Sequence, residues 1–263
     1  MPPPPPSPPP PPPPRRRRRF RRPWVAAGLA LCAAGTAALA ALALTRATPA
    51  WWRPIDPADP ATIDAAQAVE HAVVRQLSAL RPAASPPATP DADASWRSET
   101  WSVSLSQADA NAWLAARLPR WLESREKRVL WPAGVREVRV GFGDGVVRLG
   151  VRLAADGREQ IAVAHVAPDL RADGSLWLPA SWFSIGRLPV PGAWALGGAD
   201  PGDYLPADLA RLPQVRRLAD VLGGAAPLVN AAVIRLEDGR RVRLLRIAAR
   251  EGRLELTCRT EKR

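Results

Sequence analysis

A long run of uncharged residues near the N-terminus constrains this chain more than any other feature. Residues 24–45 consist largely of Ala, Leu and Val and contain no charged side chain. As a helix, a run of this length crosses a hydrocarbon core of about 30 Å. We therefore predict a transmembrane helix over residues 24–45. A cleaved signal peptide is the alternative, but the run exceeds the roughly 7 to 15 apolar residues of a signal sequence, and a long tail precedes it.

The charges that flank this run predict its orientation. Seven arginines precede it, whereas Arg46 and Arg53 follow it, and the positive flank of a membrane helix stays in the cytoplasm. We expect residues 1–23 in the cytoplasm and everything after the helix outside it, on the extracytoplasmic side of the cell membrane. Tryptophans occur where interfacial rings belong. The residues expected to anchor the chain at the lipid surface are Trp24, Trp51, Trp52, Arg15, Arg16, Arg17, Arg18, Arg19, Arg21 and Arg22.

The cytoplasmic tail is a proline run followed by the arginines. Residues 2–14 are proline except for Ser7, so they favour polyproline II and cannot pack a core. Such a run either docks on an aromatic-lined groove of a soluble partner or acts as a stiff spacer. In the second case the arginines attract anionic lipid headgroups.

Residues 46–94 are predicted to connect the membrane helix to a folded domain. Apolar residues recur at helical spacing over residues 61–80, which predicts a helix of about five turns. Residues 81–94 are rich in Pro, Ala and Asp, which is typical of a linker. The helix is either a free stalk or packs back onto the domain, and the pattern leaves both open.

Residues 95–263 are predicted to form an α+β domain. A strand that includes Trp101 leads to a capping box at Ser106 and Asp109, and a helix follows that Pro119 kinks or divides. Asp-Gly turns then punctuate short alternating runs, which predicts antiparallel meanders. A second helix is expected over residues 205–222. We therefore expect a curved antiparallel sheet packed against two helices, with the segment that contains Pro189 and Pro191 as loop or edge strand.

The sequence contains no recognisable catalytic or metal-binding pattern. His71 and His165 lack partners at zinc spacing, and Gly141, Gly143 and Gly145 alternate in a predicted hairpin, where turn glycines explain them. We expect no enzyme activity, no cofactor and no metal. After Arg46 the chain carries 29 basic and 25 acidic residues, which we interpret as an ordinary solvated surface without nucleic-acid binding.

Three aromatic residues are candidates for a ligand groove. Trp182, Phe183 and Trp194 bracket the proline-containing segment, which periodicity does not bury. They could line a groove or touch lipid. The alternative is that they anchor an irregular loop to the core.

The second half of the domain resembles a known bacterial family. The quoted stretches are DGSLWL, IGRLPVP, a helix that begins YLP, and IRLEDGRRVRLLRIAAREGRLELTCR, with SLSQADANAWLAARLP upstream. Together they are similar to the YpmS-type family of single-pass, membrane-anchored extracytoplasmic proteins. The resemblance covers about residues 102–259. It implies the same topology and an accessory role in the envelope, and it implies no catalytic residues.

These observations predict a non-enzymatic envelope protein that holds an apolar ligand such as a lipid, or docks an envelope protein. The alternative is a scaffold that links a cytoplasmic partner, bound by the proline tail, to an extracytoplasmic one. An enzyme is a third option, which would require His165 to cluster with buried carboxylates.

Overall fold

The computed structural model describes residues 1, 22–84, 96–124, 134–155, 158–192 and 213–262, with side chains described from residue 31 onward in the first helix. The chain divides into two compact units, Met1–Leu42 and Ala43–Arg263. Helix α1 spans Arg22–Arg46, and in it the Thr36 hydroxyl donates to the Cys32 carbonyl at 2.8 Å. Among the described residues, no helix is long and apolar enough to cross a membrane. The transmembrane helix over residues 24–45 remains a prediction.

The second unit contains four described helices, and local signals explain where they begin. They are α2 (Pro60–Ser78), α3 (Gln107–Ala116), α4 (Leu118–Glu123) and α5 (Pro213–Leu222). The Asp59 side chain accepts from the Ala61 N–H at 3.2 Å. Ser106 caps α3, because its hydroxyl accepts from the Asp109 N–H at 3.0 Å. This confirms the predicted cap, and the break before α4 lies beside Pro119 as expected.

Eleven strands are described, and most belong to two antiparallel sheets. The four-stranded sheet has the order β1-β11-β10-β9, the five-stranded sheet β2-β3-β4-β7-β8, and β5 pairs with β6. The strands are β1 (Trp96–Ser106), β2 (Val135–Gly143), β3 (Val146–Ala155), β4 (Arg158–Val166), β5 (Asp169–Leu170), β6 (Leu176–Trp177), β7 (Ala180–Ile185), β8 (Leu188–Pro191), β9 (Val233–Arg235), β10 (Arg240–Arg250) and β11 (Arg253–Lys262).

The division into two sheets corrects the prediction of one curved sheet. β1 pairs with β11, with Trp101 opposite Cys258, instead of joining the meander that follows it. The pairing is between distant parts of the sequence, so no local pattern indicates it. The α+β class itself is confirmed.

The turns and the edge strand agree with the sequence pattern. Gly145, Gly174, Gly239 and Gly252 have φ between 71° and 83°, a region that glycine adopts without strain. β8, which carries Pro189 and Pro191, is an edge strand as expected. The Asp156-Gly157 turn and residues 205–212 of the second predicted helix lie outside the described residues, and α5 is the described part of that helix.

Two apolar clusters hold the second unit together. The larger one lies between the two sheets and includes Phe142, Val147, Val166 and Ala249. The smaller one lies on the other face of the five-stranded sheet and consists of Trp52, Ile161 and Val163, with Trp51 packed against it. The five-stranded sheet therefore has apolar packing on both faces.

Helix α2 packs on the domain, which answers the question that the sequence left open. Ala66 is fully buried. Glu70 accepts a hydrogen bond from the Trp113 indole at 3.2 Å and forms an ion pair with Arg117 at 2.9 Å. Both partners belong to α3 or follow it directly, so α2 and α3 form a helical pair.

Candidate binding cleft and arginine face

The segment that contains Trp51 and Trp52 lies on a floor of glycines in the five-stranded sheet. A Cβ atom on Gly141 would lie 2.9 Å from Trp51 Cε3, and one on Gly150 would lie 2.5 Å from Trp52 Cζ3. Such distances leave no space for a side chain. The sequence predicted a turn role for Gly141, whereas the structure gives it a close-contact role, and only Gly145 lies in the turn.

A buried ionic network fastens this segment to strand β2. The Trp52 indole donates to Glu137 Oε2 at 3.2 Å. Arg139, which is 2 % exposed, donates to Glu137, to the Asn111 carbonyl at 3.3 Å and to the Ile55 carbonyl at 3.3 Å. Because a buried charge is costly unless it is paired and hydrogen-bonded, this set of partners favours one position of the segment.

The turn between β7 and β8 holds the residues just before the tryptophans. The Arg187 N–H donates to the Leu44 carbonyl, and its Nε donates to the Thr48 carbonyl, both at 2.8 Å. Gly186 has φ 58°, and a Cβ there would lie 2.5 Å from the carbonyl oxygens of Leu44 and Thr45. The turn belongs to the IGRLPVP segment, so this segment acts in the structure as a clamp on residues 44–48.

A cleft of about 650 Å³ opens beside this segment. Its walls are the segment itself, the first turns of α2, one side of α3, the sheet and the β10–β11 turn. The residues that line it are Ala50, Trp51, Trp52, Arg53, Pro54, Ile55, Ala61, Thr62, Ala65, Gln107, Ala108, Asp109, Asn111, Ala112, Arg139, Arg148, Glu251 and Gly252. Its volume falls within the range of about 300 to 1,000 Å³ of small-molecule sites.

Two cleft arginines, Arg148 and the exposed Arg53, form no hydrogen bond or ion pair among the described residues. Arg139 is engaged by Glu137, and Asp109 Oδ2 accepts the Ser106 hydroxyl at 2.7 Å. Arg148 makes no hydrogen bond or ion pair within the part of the chain that the structure describes, and its guanidinium lies over Gly143. The cleft thus combines an apolar wall with a half-buried free guanidinium.

Helix α3 also completes the open edge of β2. The Asn111 side-chain amide donates to the Val140 carbonyl at 2.7 Å, and its oxygen accepts from the Val140 N–H at 2.8 Å. Gln107 Oε1 accepts from the Phe142 N–H at 2.9 Å. These amides satisfy an edge that would otherwise expose backbone groups, and they hold α3 as one wall of the cleft.

His165 lies buried on β4 and stacks on Trp182, with ring centroids 3.5 Å apart. Its Nε2 has no hydrogen-bond partner in the described residues. Burial, together with the nearby Arg148, lowers the pKa of His165 to about 4. In the part of the chain that the structure describes, the groups that act on the His165 ring are the Trp182 ring and the Arg148 guanidinium, and neither is a carboxylate. Within the described ranges no cluster of His, Cys, Asp or Glu has the makeup of a metal site.

Trp182 and Phe183, the two groove candidates that the structure describes, do not share a surface. Trp182 is 40 % exposed and lies over His165, whereas Phe183 packs into the cluster between the sheets. Successive side chains of a strand point to opposite faces, which separates these neighbours. Trp194 lies outside the described residues, and neither Trp182 nor Phe183 lines the cleft described above.

The membrane-anchoring residues are placed only in part. The arginines at 15–19 and at 21 lie outside the described residues, as do the side chains of Arg22 and Trp24. Trp52 is 4 % exposed and contacts the sheet, as does Trp51. The structure thus gives these two rings contacts within the domain that the sequence did not predict. A pair of tryptophans ahead of strands rich in glycine was the available signal for this packing.

One face of the four-stranded sheet is rich in arginine. Val242, Ala249 and Leu254 are buried or packed toward the core, so the residues that alternate with them point away from it. Among the described residues, the strand registers place eight arginines and two glutamates on this outer face. We call it the arginine face: Arg97, Arg235, Arg241, Arg243, Arg246, Arg250, Arg253 and Arg259, with Glu255 and Glu261.

The two glutamates do not balance the arginine face. Glu261 pairs with Arg259 at 3.1 Å and with Arg243 at 3.3 Å. Glu255 lies 2.9 Å from Arg253 and 3.9 Å from Arg250. Each carboxylate is therefore shared by two guanidinium groups. The sequence analysis interpreted the charge as an ordinary solvated surface, and the registers now show that these residues of several strands lie on one face.

The fold and these two surfaces define an α+β protein with two antiparallel sheets, an internal cleft and a basic outer face. Comparison with known proteins finds no family model, no curated protein and no solved structure that matches the chain. The resemblance to the YpmS-type family therefore remains a prediction.

Proposed function

We propose that this protein is a single-pass, membrane-anchored binding protein of the bacterial envelope, whose second unit holds an amphipathic ligand outside the cytoplasm. The anchor and the orientation rest on the uncharged residues 24–45 and the arginines before them. The topology of the YpmS-type family, which the sequence resembles, is the same.

The observation that carries the ligand proposal is the cleft with Arg148 at its side. Trp51, Ile55 and Ala65 supply apolar wall, and small-molecule sites are mostly apolar with a few polar groups that orient the ligand. An acidic group on the ligand would pair with the free guanidinium of Arg148, since arginine binds carboxylates and phosphates through paired donors. The role proposed is binding: Arg139 and Asp109 are held by the ionic network and the α3 cap, which leaves Arg148, Arg53 and Glu251 as the cleft's other charged groups.

The experiment is native mass spectrometry of the full chain extracted from membranes, first as isolated and then titrated with oleate as the probe amphiphile. We expect a defined adduct. Arg148→Gln should weaken it at least about tenfold, in line with the loss of one charge-assisted hydrogen-bonded pair. Ala108→Trp should also weaken it, because Ala108 is an exposed residue at the cleft and a large ring there fills it.

The matched control is Val74→Trp, which adds a similar ring on an exposed site of α2 that does not line the cleft. This variant should bind oleate as the original chain does. A folded chain that carries no adduct and takes up no oleate would rule out the proposed function.

A further inference from the structure

We propose that the arginine face is a docking surface for an anionic phospholipid surface. The proposal goes beyond the cleft ligand, and it uses residues of different strands from those that line the cleft. The distribution of charge in the domain is the first observation that supports it.

The charge of the arginine face exceeds the surplus of the whole chain after Arg46. That part of the sequence has 29 basic and 25 acidic residues. Without the ten charged residues of this face, it would carry more acidic than basic groups. The arginine face is therefore a concentrated patch of positive charge.

Several of these arginines are available to a partner. Arg235, Arg246, Arg250 and Arg253 are exposed. Arg235 and Arg246 form no ion pair within the described part of the chain. A planar guanidinium presents its donors in a geometry that matches phosphate oxygens. The face thus offers unused phosphate-binding donors.

The shape and the neighbours of the face favour lipid headgroups over nucleic acid. Single-stranded nucleic acid is bound by aromatic rings on which bases stack, and the described residues of this face include no aromatic ring, since Trp101 points to the other side. Ser102 and Thr257, whose hydroxyls lie 3.3 Å apart, lie between the arginines as additional small hydrogen-bonding groups.

The exposed arginines of the face lie on three strands, with Arg235 on β9, Arg246 and Arg250 on β10 and Arg253 on β11. Clustered basic side chains are attracted to the negative potential of an anionic bilayer surface. Each arginine near such a surface contributes about a fivefold increase in binding.

The test uses the full chain, kept in solution by a nonionic amphipathic polymer, and vesicles of phosphatidylcholine with or without phosphatidylglycerol. We expect binding only to vesicles that contain phosphatidylglycerol, weakened as ionic strength rises. Replacing Arg235, Arg246 and Arg250 together by Gln should reduce this binding about 100-fold. Replacing the same three by Lys should retain most of it, since the charge attracts anionic lipid in either form.

The matched control replaces Arg136, Arg158 and Arg217 by Gln. These are exposed arginines outside the face, so the net charge falls by the same amount, and binding should change little. An equal loss in both triple variants would reduce the effect to net charge and overturn the proposal. So would the absence of binding by the original chain.

Duplex DNA and heparin serve as competing probes. If the Gln triple variant weakens binding to them while no vesicle binds, the surface belongs to a different polyanion and the lipid proposal fails. The two proposals are separable, because the Gln triple variant should keep the oleate adduct and Arg148→Gln should keep vesicle binding. Loss of one alone therefore identifies which proposal is wrong.

Discussion

The outer faces of the two sheets differ in residue composition and in whether the chain covers them. On the five-stranded sheet, the outer face has glycines where the rings of Trp51 and Trp52 lie, and the chain covers it with its own segment. On the four-stranded sheet, the outer face carries arginines at alternate positions, and four of them are exposed, so we call it the open face. The covered face packs against a segment of the chain and borders the cleft, whereas the open face is available for contact with a partner outside the chain.

The two faces also differ in how their charged side chains are paired. Under the cover, Arg139 has several hydrogen-bond acceptors and His165 stays neutral at ordinary pH. On the open face, the eight arginines outnumber the two glutamates, and four of the arginines are exposed to water. Variants on the covered face should therefore change stability, and variants on the open face should change binding.

The largest effect is expected for Trp52→Ala. The ring is buried, so its removal leaves a cavity and takes one donor from Glu137. We expect a loss of about 3 to 5 kcal/mol in the free energy of unfolding, measured by urea denaturation. Trp51→Ala, which removes a less buried ring, should cost less. A loss below about 1 kcal/mol for Trp52→Ala would mean that the covering segment does not belong to the folded unit.

Gly150→Ala should come next. The new Cβ would lie 2.5 Å from Trp52 and 2.8 Å from Trp51, and overpacking of this kind costs about 1 to 3 kcal/mol. The same change in the Trp52→Ala background should cost less, because its nearest contact has gone. Additive losses in this double-mutant cycle would contradict the close contact between floor and cover.

The third effect is a pH dependence from His165 of about 2 kcal/mol. The pKa of His165 is about 4 in the folded chain and about 6.5 in the unfolded chain. Between these values the unfolded chain binds more protons, so stability falls as pH falls from 7 to 5 and levels off below 4. His165→Phe keeps a ring for Trp182 to stack on and should lose this part of the pH dependence in urea titrations at pH 7 and pH 5. Equal slopes for both proteins would show that the histidine is not shielded.

The smallest effect is expected on the open face. Arg246→Gln should change the free energy of unfolding by no more than about 0.5 kcal/mol, because the side chain is exposed and forms no ion pair among the described residues. Thermal unfolding followed by circular dichroism can measure this. A loss as large as that of Gly150→Ala would mean that the arginine face supports the fold.

The sequence was most informative where structure depends on neighbouring residues. The cap at Ser106, the break near Pro119 and the Asp-Gly turns each depend on a few adjacent residues, and the structure confirms them. The edge position of β8 follows from proline chemistry in the same way. Each prediction needed one local rule and no knowledge of which strand pairs with which.

The candidate site could not be predicted, because it depends on distant residues. In the sequence, Trp51 and Trp52 fit the pattern of rings at a membrane interface as well as that of rings packed in a domain. Only the three-dimensional positions of Gly141 and Gly150 show that the two rings pack on the sheet. The arginine face could not be predicted from the sequence for a related reason. Its members alternate with apolar residues on several strands, so the charge looks dispersed until the registers are known.

The pairing of β1 with β11 affects how this protein can be made. β11 is the last described strand along the sequence, yet it lies between β1 and β10, and Trp96 pairs with Lys262. During translation, β1 is synthesised long before its partner strand β11. Until β11 follows, the backbone groups along the edge of β1 are unpaired, whereas the five-stranded sheet can already form. Removal of residues 253–262 would take away the strand that joins the two sides of its sheet. The ribosome must therefore pass residue 262 before the domain can close.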